Sequence, residues 1–331
     1  MTVVPGDSSA AVRRLLPAHD GPGVERTVST DHANLSVVVD DRYVVKWFSE
    51  PIADHDLGVL RTLADHGFDD MPMFVGSIAS DEIDDFRVLA IVSEFLPDAS
   101  DGWVWYVADV VAWLDGEAPL QPLLDTAATM GRITARMHLA LAPPRPSTIV
   151  PLRNRIADRR GAALAHTTGD AAQRLQARLN QIDGAVSMLD ALDLVPMQRV
   201  HGDLHAGQFL RSEHRIVLTD FDGDPTTSTS DRLGVQPAER DLAGLVQSID
   251  HVGRVAAKRR PGADVQPFID TAYDAVVQEY GSVRHFDPSL LWPLRVAQEL
   301  HEYAYAAMHL PAWAYVPDAA MCALFPQEDL V

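Results

Sequence analysis

Residues 201–224 read HGDLHAGQFLRSEHRIVLTDFDGD, and the spacing of their polar side chains decides how the chain is read. Asp203 is followed five residues later by the amide of Gln208. A short apolar run, Ile216-Val217-Leu218, then delivers Asp220, with Asp222 and Asp224 close behind. Phosphoryl transfer from a nucleotide calls for these parts: a carboxylate to orient the attacking hydroxyl, and hard oxygen ligands to hold Mg²⁺ on the phosphates. The stretch therefore points to a small-molecule kinase, with Asp203 as the catalytic carboxylate and Gln208, Asp220 and Asp222 as metal ligands.

Working outward, the 331 residues suffice for two lobes with separate cores. The formal charge is −20, from 47 acids against 27 bases, a surface that repels nucleic acid and anionic membranes. It also repels ATP, so a nucleotide site needs local cations and a metal. The lone Cys322 permits no intrachain disulfide, as expected of a reducing cytoplasm. The start, MTVVPGDSSAAVRRLL, lacks the long apolar stretch of a secretory signal, and no run of about 18 apolar residues suggests a membrane span. A soluble, cytoplasmic protein is expected, and nothing in the sequence sets its oligomeric state.

The first quarter reads as strands. Leu35–Val39 and Tyr43–Phe48 flank the turn Asp40-Asp41 as a β-hairpin rich in β-branched and aromatic residues, which Pro51 is expected to end. Residues 54–66 carry Leu57, Leu60 and Leu63 at helical spacing with Gly67 as the stop, and Phe74–Ile78 and Arg87–Ser93 read as two more strands. After Pro97 the chain turns helical: a long helix over 121–141, a helical pair over 151–193, and helices from Glu239 onward. The expected architecture is α+β and bilobal, a strand-rich N-lobe over residues 1–95 and a mainly helical C-lobe over 96–331.

The string His201-Gly202-Asp203-Leu204-His205, with Gln208 and Asp220-Phe221-Asp222, resembles the active centre of the aminoglycoside phosphotransferase superfamily, whose fold is protein-kinase-like. The resemblance is closest to the maltokinase and actinobacterial glucosamine kinase branch, which has Gln at the position of Gln208 and an acidic-Gly-acidic stretch like Asp222-Gly223-Asp224. A second segment, Gln298-Glu299-Leu300-His301-Glu302-Tyr303 with Leu310–Asp318, is similar to the C-terminal helix and tail that shape the sugar pocket there. The likeness implies an ATP- and Mg²⁺-dependent kinase acting on a sugar hydroxyl. It also implies that Val92–Leu96 leads into the inter-lobe hinge, where backbone groups of Glu94 and Leu96 meet adenine, and that Asp241 ties the catalytic loop to the large lobe. Two departures stand out. The chain is short for the extra N-terminal cap domain of maltokinases, and the Gly-rich phosphate loop is replaced by Thr30–Ser36, which contains no glycine and leaves Ser36 as a phosphate contact.

Each residue also has a plainer reading. Lys46 sits in an apolar strand and is the only lysine before Lys258; over a cleft it would neutralise phosphates, on an outer face it would merely snorkel. Its acidic partner on the following helix is not evident, since Asp54 and Asp56 read equally as helix caps. His201 and His205 bracket Asp203 at a spacing that also suits zinc, although no further His or Cys cluster is nearby. Arg295, Gln298, Glu302, Tyr305 and His309 form one polar stripe on a helix over 290–309, a pattern that usually faces solvent. Under the resemblance, His205, Asp224, Gln298, Glu299, Glu302, Tyr303 and Trp313 become the substrate-binding candidates. Acids around that pocket suit an amine-bearing sugar such as glucosamine. A neutral-sugar kinase of the maltokinase kind, an aminoglycoside phosphotransferase and an inactive pseudokinase that only binds are the alternatives.

Overall fold

The computed structural model describes residues 3–28, 34–53, 57–80, 87–141, 143–213, 215–224, 226–227, 232 and 234–326. They form two compact units, Met1–Ser100 with Leu210–Asp222, and Asp101–Phe209 with Gly223–Val331. The division expected at residue 95 thus falls a few residues later, and Leu210–Asp222 belongs to the first unit although it lies deep in the sequence of the second. The apolar run of that segment explains this, because Leu218 donates its N–H to the Asp70 carbonyl at 2.8 Å.

In the first unit, helix α1 (Asp7–Leu15) precedes β1 (Glu25–Val28), β2 (Asn34–Val39) and β3 (Tyr43–Ala53). Helix α2 (Gly58–Asp65), β4 (Phe74–Ala79) and β5 (Arg87–Glu94) follow. The five strands form one antiparallel sheet in the order β1-β2-β3-β5-β4. Alternation along β3 is what aims its side chains. Val45 and Trp47 join Val37, Val39, Ile78, Ala90 and Val92 in a core covered by Ala11 and Val12 of α1, which leaves Lys46 on the opposite face. The strand runs through Pro51, where it was expected to stop. Its register against β5 breaks between Trp47 and Ile52 and then resumes, so the ring falls where no ladder donor is required. The Asp54 and Asp56 alternatives lie outside the described residues, as does most of the Thr30–Ser36 segment.

The two-residue strand β6 (Ser100–Asp101) leads into the second unit, built from α3 (Gly102–Leu114), α4 (Gln121–Ala140), β7 (Arg145–Thr148), α5 (Val150–His166), α6 (Gly169–Ala177) and α7 (Leu179–Ser187). Strand β8 (Leu194–Met197) pairs with β7. The short β9 (Phe209–Ser212) and β10 (Arg215–Leu218) lie within the 201–224 stretch and belong, from Leu210 on, to the first unit, while α8 (Glu239–Arg259), α9 (Gln266–Val283), α10 (Pro288–His309) and α11 (Tyr315–Leu324) complete the second. Residues 151–193 make three α-helices rather than a pair, because Thr167-Thr168-Gly169 breaks the pattern and Gly169 takes a left-handed φ of 64°. Helix α8 is the organising element. Its positions 241–253 are buried throughout, so even Gln247, Ser248, Asp250 and His251 face protein. A helix that buries polar groups on all sides must satisfy them internally, and those partners build the site.

Candidate active site

The segment from His201 to Gln208 is fixed to α8 by its backbone. Asp241, 1% exposed in the first turn of α8, accepts hydrogen bonds from the N–H of His201 at 2.7 Å, the N–H of Gly202 at 3.0 Å and His138 Nε2 at 3.1 Å. Burial works to raise the pKa of this carboxyl. The His138 hydrogen bond and the neighbouring His138, His201 and Arg240 charges outweigh it and hold the group below the usual carboxylate range. His138 in turn meets the Tyr280 hydroxyl at 2.8 Å through Nδ1. Arg240 donates to the Gly202 carbonyl, and the Ala206 N–H donates to Ser248 Oγ at 2.8 Å. Such closeness demands a small residue on the helix: a Cβ at Gly244 would stand 2.6 Å from the Leu204 carbonyl oxygen.

Asp203, in the middle of this clamped loop, lines a pocket of about 310 Å³. Its other walls carry two further acids, Asp224 and Glu302, and an aromatic corner of Trp103, His205 and Trp313. The Trp103 and Trp313 rings meet edge to face at 5.4 Å, and the His205 ring lies 5.8 Å from Trp103. Gln298 donates to Glu302 at 3.0 Å, one turn apart on α10. Asp224 is 4% exposed. Its Oδ1 accepts from the Thr226 N–H at 2.9 Å and from the Thr226 hydroxyl at 2.6 Å, while Oδ2 lies 3.8 Å from Arg159 Nη2 and 3.5 Å from His301 Nε2. Burial opposes ionisation of Asp224, but the two Thr226 hydrogen bonds and the Arg159 charge keep its pKa below the ordinary value. Burial and then the Arg159 charge push His301 down to about 3, so this imidazole faces the pocket neutral. The wall is therefore acidic, with oxygen acceptors suited to hydroxyls and ammonium groups and flat rings suited to the apolar face of a sugar.

The first unit holds a separate cluster. Lys46 Nζ donates to Asp222 Oδ2 at 2.8 Å and to Asp220 Oδ1 at 3.2 Å. Burial would lower the pKa of the ammonium, yet the Asp222 and Asp220 charges more than reverse this and raise it. Asp220 has a φ of 63°, a left-handed backbone that Asp tolerates better than bulkier residues. Ser36 is the direct cross-strand partner of Lys46, so both side chains share one face of the sheet. The N–H groups of Glu94 and Phe95 are engaged by the carbonyls of Met73 and Arg42 at 2.9 and 2.8 Å, and the Glu94 carboxylate pairs with Arg215 at 3.1 Å.

Comparison with known proteins decides the affiliation. The model of the phosphotransferase enzyme family matches residues 25–265. The chain belongs to this family. Among relatives of the phosphotransferase, it is 38% identical over 325 residues to a glucosamine kinase of Streptacidiphilus jiangxiensis, covering 92% of this chain and 74% of that protein. It is also 38% identical over 319 residues to a glucosamine kinase of Mycolicibacterium smegmatis, covering 92% and 80%. A solved glucosamine kinase in complex with glucosamine, ADP and inorganic phosphate superposes with a TM-score of 0.85 at 35% identity, over 98% of this chain and 84% of that one. The α+β architecture, sheet-rich first and helical afterwards, is thus that of the phosphotransferases.

Of the sequence-derived candidates, Asp203, His205, Asp224, Gln298, Glu302 and Trp313 line this pocket. Lys46, Asp220 and Asp222 are in direct contact. Gln208 is buried in the loop that carries Asp203, and its Nε2 lies 3.3 Å from His205 Nε2, which turns the amide oxygen away from the imidazole. Two candidates differ from expectation. Glu299 is 0% exposed and bonds to His251 Nε2 at 2.6 Å. Tyr303 packs with Val296, Leu300 and Phe325 and donates to Asp318 at 3.0 Å. The cause is helical phase: positions 298, 301, 302 and 305 of α10 share the pocket face, whereas 296, 299, 300 and 303 turn toward the core. His201 is a loop brace, its Nδ1 accepting from the Asp203 N–H at 3.3 Å. Reading the sequence missed Trp103, Ser248, His251 and His301 in the wall. His301 sits at the i+3 position from Gln298 and was within reach of the periodicity; His251 lies in an all-buried helix where periodicity carries no direction.

Proposed function

We propose that this phosphotransferase is an ATP- and Mg²⁺-dependent amino sugar kinase that phosphorylates a hydroxyl of glucosamine. The observation that carries the reading is the joint placement of Asp203 with Asp224, Glu302 and Trp313 around one pocket of monosaccharide scale. The 38% identity to two glucosamine kinases supports the same acceptor. Asp203 aligns the acceptor hydroxyl and takes its proton as the bond to phosphorus forms; in a loose transition state that transfer comes late, so an ordinary aspartate serves. Asp224 and Glu302 hold the ammonium and hydroxyls, and Trp313 with Trp103 covers an apolar sugar face.

Lys46, with Ser36 beside it, neutralises and positions the nucleotide phosphates. Because the N–H groups of Glu94 and Phe95 are already engaged, donation from this stretch to the adenine edge falls to Leu96. Asp220 and Asp222 suit a divalent metal, since two carboxylates converge on one cation, the Lys46 ammonium, at 3.2 and 2.8 Å. Gln208, whose amide oxygen is a neutral hard ligand, is the further metal-ligand candidate, and few protein ligands are typical for Mg²⁺. A divalent metal held by these residues would supply charge neutralisation for the transferred phosphoryl group. The buried Asp241 acts only through the loop it clamps. We place the reaction in the cytoplasm, in keeping with the single cysteine.

The test is ADP release over a panel of glucosamine, neutral hexoses, maltose and aminoglycosides, with Asp203→Ala as control. Preferential consumption of glucosamine supports the proposal. Preference for a neutral sugar or an aminoglycoside, or ATP binding without turnover of any acceptor, refutes it.

A further inference from the structure

A buried ion pair lies behind the pocket wall. His251 projects from α8 into the lining of the pocket, and its Nε2 lies 2.6 Å from Glu299 Oε1 on α10, both side chains being buried. The other oxygen of Glu299, Oε2, is buried without a hydrogen-bond partner among the described residues. Among the described residues only His251 hydrogen-bonds this carboxyl, and the pair behaves as one proton-holding group. The opposite ring nitrogen, Nδ1, makes no hydrogen bond to any described residue, and the ring is held edge-on to Trp313 at 6.2 Å.

We infer that His251 presents Nδ1–H into the pocket as a hydrogen-bond donor that accepts no ammonium, and that Glu299 is the positioning residue that fixes this protonation state. The two side chains share one proton. If it rests on the ring, Nε2–H donates to Glu299 and Nδ1 also bears hydrogen, as in any imidazolium. If it moves to Glu299, the carboxyl donates to Nε2 and the neutral ring keeps its hydrogen on Nδ1. Both arrangements offer the pocket a donor. Burial alone would lower the His251 pKa, but the Glu299 charge and hydrogen bond, with Glu302 and Asp250, raise it to about 9. Burial raises Glu299 to about 7, with His251 pulling the other way. The charged groups facing the ring are Glu299 and Glu302 from α10, Asp250 from α8 (itself paired with Arg254 at 2.8 Å) and Asp203 across the pocket. None is a cation left to compete for that donor role.

A donor on one wall and carboxylates on another sort the two kinds of substituent on an amino sugar. An ammonium has only hydrogens to offer, so it is rejected at His251 and accepted by Asp224 or Glu302; a hydroxyl or ring oxygen fits at His251. The pair would thus set which way round the sugar binds, and with it which hydroxyl meets Asp203. This inference rests on the amino-sugar reading for its substrate, though not for its titration.

The experiment combines imidazole NMR titration with acceptor kinetics. In the wild type, the His251 resonance (assigned by its loss in His251→Asn) is expected to titrate above pH 8, and in Glu299→Gln below its ordinary value of about 6.5. Glucosamine KM is expected to rise about tenfold in Glu299→Gln with ATP KM unchanged, the size of one charge-assisted hydrogen bond. An Asn amide nitrogen overlays Nδ1 and a Gln amide nitrogen overlays Nε2. So His251→Asn combined with Glu299→Gln should retain near-wild-type KM, and His251→Gln should not. Identical His251 titration in wild type and Glu299→Gln, or retention of KM by His251→Gln but not by the Asn variant, overturns the inference. A wild type inert toward every amino sugar would sink the substrate reading, while the titration would still decide the proton-holding role.

Discussion

Replacing Asp224 by asparagine isolates the charge of the acidic wall from its shape. Oδ1 of Asp224 carries the loop structure, through two bonds to Thr226 at 2.9 and 2.6 Å. Oδ2 carries the electrostatics, facing Arg159 at 3.8 Å and His301 at 3.5 Å. An asparagine keeps the first oxygen and exchanges the second for a neutral NH₂, so the fold of the loop should survive. The ammonium of the acceptor loses a hydrogen bond to a buried anion, worth about 1.5–3 kcal/mol, which corresponds to about 10- to 150-fold in KM. The loss falls toward the upper end of that range because Arg159, no longer neutralised, now repels the amine across the pocket. Steady-state ADP release would be measured against glucosamine and against glucose, with thermal denaturation as the check on folding. We expect glucosamine KM to rise by at least about tenfold, ATP KM to hold, and the glucose response to change by less than about threefold. Equal losses for both sugars would refute the assignment of Asp224 to the amine.

Asp241→Asn replaces an acceptor of three buried hydrogen bonds by a group with one acceptor oxygen, and should cost about 3–5 kcal/mol in urea unfolding while also lowering kcat. Since the folded pKa of Asp241 lies below the unfolded value of about 3.9, its stabilisation is present above that pH and drains away as pH falls through the folded value; the variant should show a correspondingly flatter acid limb. Lys46→Ala frees Asp220 and Asp222 from their shared cation, so Mn²⁺ binding without nucleotide should tighten in titration calorimetry although ATP KM rises about tenfold or more. Gly244→Ala drives a methyl to 2.6 Å from the Leu204 carbonyl, and activity should fall through displacement of the Asp203 loop; unchanged kcat would show that the loop can yield at no cost.

Much of this was legible in the residues themselves. Lys46 was half legible: its strand was evident, but which face it takes was left open until the structure buried Val45 and Trp47 together on the other side. Spacing brought Asp203, Asp220 and Asp222 forward as candidates, and the structure places the last two against Lys46. Positions on α10 were half legible: Gln298 and Glu302 follow a helical stripe, but Glu299 belongs to the adjacent phase, and acidity alone could not say that it faces a histidine rather than a sugar. His251 was out of reach, since α8 is buried all round and its partner lies 48 residues away on another helix. The persistence of β3 beyond Pro51 was likewise a tertiary outcome, made possible by a break in pairing that local propensity does not encode.

In the proposed reaction Asp203 orients an amino sugar hydroxyl and takes its proton as the γ-phosphoryl group is transferred. The most direct measurement follows ³¹P resonances during incubation with ATP, Mg²⁺ and glucosamine. We expect a sugar phosphate ester formed in step with ADP by the wild type, and a rate lower by about 10²–10⁴ in Asp203→Asn at unchanged nucleotide affinity. Free phosphate without any ester, or an Asp203→Asn variant as fast as the wild type, would contradict it.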